Sequence, residues 1–244
     1  MASLASMHRL FFLDHLDRAV EYVEISGEEY RHLRVLRPRS GDRVALTNGQ
    51  GLLALCRLES IEKDHCTGFI EKSEVVPPYR VRITLAFAPT KRDKWEWLVE
   101  KATENGVISF VPVITRRNRE FTREFTRKSE RFEKIMRQAV KQSKRAWLPD
   151  MARPLTLDKE IDFFTKFDTI ALMNPGGNKF NSFSWEKNKN IVIVVGPEGG
   201  WDEGEADALR QLGARECSLG PYILKTETAA LKAAFLIQYL CGGE

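Results

Sequence analysis

The chain has no CxxC pair and no run of closely spaced histidines. Its cysteines (Cys56, Cys66, Cys217, Cys241) and histidines (His8, His15, His32, His65) are scattered. Only the adjacent His65 and Cys66 approach the short ligand spacing of a zinc site. No metal is expected, and the thiols read as reduced residues of a cytoplasmic protein. No apolar run nears the ~20 residues that span a bilayer. The opening MASLASMHRLFF lacks the basic start and long apolar core of a signal peptide. Also missing are the GK[ST] ending of a nucleotide-triphosphate loop and the GxGxxG of a dinucleotide fold. Internal repeats and low-complexity segments are absent as well.

What is present suits a globular protein. Hydrophobic residues make up 43% and charged residues 30% of 244 positions, enough for one large domain or two unequal ones. The net charge of +4 says little, but its distribution says more. Between Thr115 and Arg145, twelve Arg or Lys stand against four Asp or Glu, a net +8 that leaves −4 for the rest. A basic block in a mildly acidic chain suggests a surface facing a polyanion, against the plainer reading of a solvated, charge-paired helix.

Residues 1–76 read as short strands separated by turns: RLFFLD, EYVEI, DRVALTN, LLALCRLESIE and CTGFIEKSE. One helix interrupts them near Glu28 to Leu36, where Ser26 and Glu29 have capping-box spacing. The pattern predicts a small β-barrel, closed off by Pro77-Pro78. Residues 79–244 change rhythm. VRITLAFA, ISFVPVIT, DTIALMN and IVIVV read as strands. Helices are expected at Asp93 to Asn105, Arg127 to Arg145, Asp202 to Leu212 and Thr226 to Leu240. This alternation implies an α/β domain on a mostly parallel sheet. Gln138, Gln142 and Arg145 fall on one stripe of the long basic helix. The last helix is apolar nearly all round, which predicts burial in the core or between subunits.

Ligands of open α/β sheets bind at the carboxyl ends of the strands. Three such ends carry Gly and Pro: Leu172-Met173-Asn174-Pro175-Gly176-Gly177, Gly196-Pro197-Glu198-Gly199-Gly200 and Leu219-Gly220-Pro221-Tyr222-Ile223-Leu224. Glycine lets a ligand approach the backbone closely. A phosphate ligand fits poorly, because Glu198 lies in the second loop and Asp202 with Glu205 has the spacing that caps the following helix. A neutral or cationic ligand with an adenine ring suits these loops, and S-adenosylmethionine carries a sulfonium, an ammonium and no phosphate.

GPEGGW followed by an acidic helix start, then LGPYILKTETAA, resembles the RsmE family of 16S ribosomal RNA uridine methyltransferases. The likeness extends to MHRLFF at Met7, HLRVLRPRSGD at His32, KRDKWEWLVEKATENGV at Lys91 and RFEKIMRQAVKQSKRAWLP at Arg131, and so covers nearly the whole chain. It implies an N-terminal PUA-like barrel (1–76) and a SPOUT methyltransferase domain (79–244) with a trefoil knot. It further implies S-adenosylmethionine as cofactor, a homodimer, and methylation of uridine N3 in the small ribosomal subunit. Leu172, Gly196, Gly200, Leu219, Gly220, Ile223 and Leu224 would line the cofactor pocket, with Asn174 and Pro197 beside them. Arg9, Arg34, Arg37, Arg116, Arg117 and Arg119 would face RNA, with Gln142 and Arg145 on the basic helix. Lys225 stands where the family usually has arginine, which keeps the charge and loses the bidentate fork.

Uridine N3 carries a proton that must leave during methylation. Glu198 or Glu227 is the candidate acceptor, and Lys225 the candidate stabiliser of the uracil anion. Two plainer roles stand beside these: Glu198 pinning its own loop, and Glu227 favouring a helix N-terminus. A non-catalytic RNA-binding ribosome assembly factor remains the alternative function, since barrel and basic block would serve it equally.

Overall fold

The computed structural model describes residues 9–89, 92–118, 129–185 and 190–241. They form two compact units, one of Met1–Pro78 with Arg137–Leu148, the other of Tyr79–Met136 with Pro149–Glu244. Among the described residues no helix is long and apolar enough to cross a membrane.

The first unit holds β1 (Leu10–Phe12), β2 (Tyr22–Ser26), α1 (Gly27–Arg34), β3 (Arg43–Thr47), β4 (Leu52–Ile61) and β5 (His65–Val75). The strands make one curled sheet in the order β1-β3-β4-β5-β2. Its ladders are antiparallel except β1 with β3. The expected barrel is therefore a half-barrel, whose edge strands β1 and β2 do not pair. β2 shows the physical basis: Val23 and Ile25 point inward while Tyr22 and Glu24 point out, the two-residue period of a half-buried strand. Ile25, Leu33, Leu46 and Leu58 meet inside.

Helix α1 corrects one expectation. Ser26 is its N-cap residue, yet the Ser26 side chain makes no capping hydrogen bond. Glu29 is engaged elsewhere: it accepts the Phe12 N–H at 3.1 Å and the Lys141 ammonium at 2.8 Å. A charged partner and an edge-strand amide outcompete the local box.

The second unit holds β6 (Arg82–Phe87), α2 (Arg92–Glu104), β7 (Ser109–Ile114), β8 (Asp150–Met151), β9 (Leu155–Thr156), β10 (Thr169–Lys179), β11 (Asn190–Val195), α4 (Glu203–Gln211), β12 (Arg215–Ser218) and α5 (Thr226–Leu240). Helix α3 (Ser129–Ser143) runs from this unit into the segment belonging to the first. The sheet is parallel throughout, ordered β12-β10-β11-β6-β7-β8, with β9 also on β7. Ile191 to Val195 are all buried, as the unbroken apolar run of β11 requires in a covered sheet. Phe87, Val195 and Met173 share one register across β6, β11 and β10, so three strand ends open on the same edge.

Two expectations about helices change. Helix α3 ends at Ser143, and Lys144 adopts φ +61°, so Arg145 leaves the stripe of Gln138 and Gln142 and is buried. Helix α5 buries Ala230, Ala233, Ala234 and Ile237, but Phe235 and Tyr239 stack on each other while 57% and 74% exposed. One stripe of this apolar helix is therefore open in the single chain.

Candidate active site

The strand-end edge of the second unit encloses a cavity of about 420 Å³. Three loops wall it, as the glycine and proline pattern indicates. The first is a bulge within β10: both Met173 and Asn178 pair with Cys217, so Asn174 to Gly177 loop out between them. Asn174 is held there by Glu216, whose carboxylate accepts its Nδ2 at 3.0 Å. The Arg210 guanidinium donates to the same Glu216 oxygen at 2.8 Å and keeps that carboxyl below its usual range, with the Asn174 bond adding to it.

The second loop, Gly196 to Gly200, follows β11. A Cβ on Gly196 would sit 2.8 Å from Trp201 Cε2, so the indole can close over the loop only if residue 196 is glycine. Gly200 has φ +74°, the left-handed region that glycine enters without strain. Helix α4 begins at once, and the Asp202–Glu205 capping box is formed. Buried Glu205 accepts the Asp202 N–H at 3.2 Å and the Arg116 N–H at 2.8 Å. The helix start is thus already filled with carboxylate, which disfavours phosphate there.

The third loop joins β12 to α5. Leu219, Gly220, Ile223 and Leu224 line the cavity, and Ile223 is largely exposed on its outer side. The Thr226 hydroxyl donates to the Gly196 carbonyl at 3.0 Å and ties this loop to the second.

The expected cofactor residues Asn174, Gly196, Pro197, Gly200, Leu219, Gly220, Ile223 and Leu224 all line this one cavity. Leu172 does not. Its side chain is fully buried in the core, and the next residue, Met173, reaches the wall instead. Trp201, Cys217 and Thr226 also line it and were missed. Their signal is weak, because a tryptophan after GPEGG or a threonine opening a helix reads equally well as packing or capping.

Of the candidate proton acceptors, Glu198 lines the cavity, and Lys94 Nζ lies 2.7 Å from its Oε1. Glu227 Oε1 is 3.7 Å from the same ammonium, and its Oε2 is buried with no hydrogen-bond partner among the described residues. Lys225 is the exposed N-cap residue of α5.

The arginines divide. Arg116 pairs with Asp202 at 2.8 Å, and Arg117 lines the cavity and donates to the Gly199 carbonyl. Both touch the glycine-rich loop region of the cavity, and both are exposed. Arg119 lies outside the described residues. Arg9 and Arg37 are exposed in the first unit, where the Arg34 guanidinium donates to the Lys63 carbonyl at 3.0 Å.

Residues 77–238 match the family described as RNA methyltransferase domain, and residues 25–71 match the RNA methyltransferase PUA domain. The ribosomal RNA small subunit methyltransferase E of Bacillus subtilis is 31% identical over 227 residues, 88% of this chain and 89% of that one. The chain belongs to the ribosomal RNA small subunit methyltransferase E family. Among solved structures, the family member from Neisseria gonorrhoeae bound to S-adenosyl methionine aligns with a TM-score of 0.87, 28% identity and coverage of 96% of this chain and 98% of that one. A methyltransferase from Legionella pneumophila in complex with the same cofactor aligns with a TM-score of 0.83 and 25% identity, over 95% and 97%.

The cavity fits such a cofactor by its own chemistry. Met173, Val195, Leu219, Ile223 and Leu224 give apolar walls for a purine, and the glycine-rich loops bring backbone groups close. Glu198 and Glu203 line the cavity together with Arg117 and Arg210, so the charged groups of the lining balance.

Proposed function

We propose that the chain transfers a methyl group from S-adenosylmethionine to N3 of a uridine in 16S ribosomal RNA of the small subunit, in the cytoplasm. The observation that carries this reading is the convergence of three glycine-rich strand ends on one cavity in a family member whose Neisseria relative binds that cofactor. Asn174, Gly196, Leu219 and Leu224 would hold the cofactor, largely through backbone and apolar contacts. When bound, it supplies a methyl group activated by the sulfonium.

The chain's own residues then have positioning and proton work to do. Glu198 accepts the N3 proton, with Lys94 fixing the carboxylate at 2.7 Å. Glu227 balances the same ammonium from the helix start, and Lys225 faces negative charge on the uracil. Fixing the uracil nitrogen in line with the methyl carbon is the larger contribution, since orientation replaces a bimolecular encounter. Arg9, Arg34, Arg37 and Gln142 form the RNA-facing side of the first unit, and residues 1–76 and 79–244 act as RNA-binding and catalytic domains. Two copies pair through the open stripe of α5, where Phe235 and Tyr239 are exposed, and through Trp97 on the adjoining α2.

Calorimetry with S-adenosylmethionine tests the reading. Saturable binding that is lost when Gly196 is replaced by a larger residue supports it. Absence of binding at millimolar ligand overturns it and leaves the assembly-factor reading. Sedimentation velocity of wild type and Phe235→Glu tests the pairing, with a shift to monomer expected in the variant.

A further inference from the structure

Tyr222 stands in the third loop of the methyl-donor cavity, lines it, and is 80% exposed. Other exposed aromatics lean on a neighbour: Tyr22 meets Phe69 edge-on, and Phe235 stacks on Tyr239. Among the described residues Tyr222 meets no other ring and no hydrogen-bond partner, so packing within the chain does not explain it.

The backbone nevertheless holds this ring in place. Gly220 has φ +126°, which an L side chain rarely adopts, and Pro221 locks its own φ immediately before Tyr222. On one side the Ser218 hydroxyl donates to the Gly220 carbonyl at 3.3 Å. On the other, the Thr226 hydroxyl donates to the Gly196 carbonyl at 3.0 Å. Tyr222 is thus an exposed ring on a loop tied at both ends.

The cofactor does not account for it either. The inner walls that suit a purine include the buried Met173 and Val195, whereas a ring left mostly in water belongs to the outer rim. The second reactant must arrive across that rim. Uridine N3 lies in the middle of the pairing edge, so the base has to leave its partner and its stack before N3 can reach a methyl group held in a cavity. A base drawn out in this way loses the neighbours on its faces, and an aromatic side chain replaces them. Glu198, the candidate acceptor of the N3 proton, lines the same cavity, so a stacking face and a proton acceptor share one space. We propose that Tyr222 is the stacking platform for the target uracil, holding the base by its face at the mouth of the methyl-donor cavity. The proposal rests on the methyltransferase reading and adds the residue that receives the substrate base. The ring carries this role and the hydroxyl does not, so phenylalanine serves in its place.

The test uses the full chain, S-adenosylmethionine and small-subunit ribosomal RNA. Tyr222→Ala should lower kcat/KM for RNA about tenfold, within the range of a single base–aromatic stack, while Tyr222→Phe should stay within about twofold of wild type. Calorimetric affinity for S-adenosylmethionine and sedimentation velocity should match wild type in both variants. Wild-type kcat/KM in Tyr222→Ala, or an equal loss in Tyr222→Phe, overturns the proposal. A parallel loss of cofactor affinity also overturns it, because Tyr222 would then belong to the cofactor wall. So does a shift in sedimentation, which would set the ring against a second copy of the chain. Tyr222 is exposed, so both variants should fold, which a melting curve checks. Failure of wild type to bind S-adenosylmethionine would instead count against the methyltransferase reading, so the two failures are distinguishable.

Discussion

Lys94 Nζ lies 2.7 Å from Glu198 Oε1, joining the helix after the first strand of the second unit to the loop after its central strand. The two residues are 104 positions apart in sequence, and Glu227 approaches the same ammonium at 3.7 Å. One cation thus stands between the two carboxylates that are candidates for removing the uracil proton.

This arrangement separates a chemical role for Glu198 from a scaffolding one. If Glu198 takes the N3 proton, Glu198→Gln should lower kcat by about 100-fold, the low end of general-base effects. Cofactor affinity should stay within a few-fold of wild type, and Lys94→Met should lower kcat less. If Glu198 only pins its loop, both variants should weaken cofactor binding in parallel and leave kcat nearly intact. Single-turnover kinetics with calorimetry decides between them.

Gly196→Ala should weaken S-adenosylmethionine binding by at least tenfold. Its Cβ would stand 2.8 Å from the Trp201 ring, and either the loop or the indole must move. Gly213→Ala is the control: φ is +82° there, but among the described residues nothing lies within 4 Å of the added carbon. That variant should lose about 1 kcal/mol of stability from backbone strain and none of its cofactor affinity. Urea unfolding and calorimetry on both check this.

Glu205 and Arg116 touch each other yet should differ in what they contribute. Glu205 is buried and accepts two part-buried backbone N–H groups, so Glu205→Ala should cost about 1–3 kcal/mol by leaving both donors unpaired. Arg116→Ala removes a largely exposed pair with Asp202 and should cost no more than about 1 kcal/mol. Denaturant midpoints at constant m-value measure both.

Acid should loosen the first loop of the cavity. The Arg210 guanidinium, with Asn174 behind it, holds the Glu216 carboxyl below its ordinary value of 4.5. A carboxylate with a depressed folded value stabilises the fold above its unfolded value, and that contribution is lost as pH falls through the folded one. Wild-type stability should therefore decline more steeply below about pH 4.5 than that of Glu216→Gln. Parallel acid titrations of the two proteins would refute the assignment.

What could be read from the sequence was local or periodic. The Asp202–Glu205 cap was legible because both residues lie within one helical turn, and the β11 run was legible because five consecutive buried residues can only be central. The convergence of three strand-end loops followed from the parallel α/β rule. Distant partners were illegible. Ser26 and Glu29 have the same spacing as a working cap, but Phe12 and Lys141 claim the Glu29 carboxylate. The contacts of Arg116 with Asp202 and of Arg117 with Gly199 could not be read, because the partners lie more than eighty residues away. Leu172 and Met173 are equally apolar, and sequence does not say which of two adjacent strand residues turns to the cavity. Lys94 lies 104 positions from Glu198, so their pairing has no local signal.

The central claim is methyl transfer to uridine N3, and nucleoside analysis tests it most directly. The purified chain is incubated with S-adenosylmethionine and small-subunit ribosomal RNA from a strain lacking the corresponding gene, and the digested nucleosides are resolved by mass spectrometry. The account predicts N3-methyluridine at one position, absent without protein and strongly reduced with Glu198→Gln. RNA that is bound but carries no added methyl, or a methyl on another atom, would contradict it.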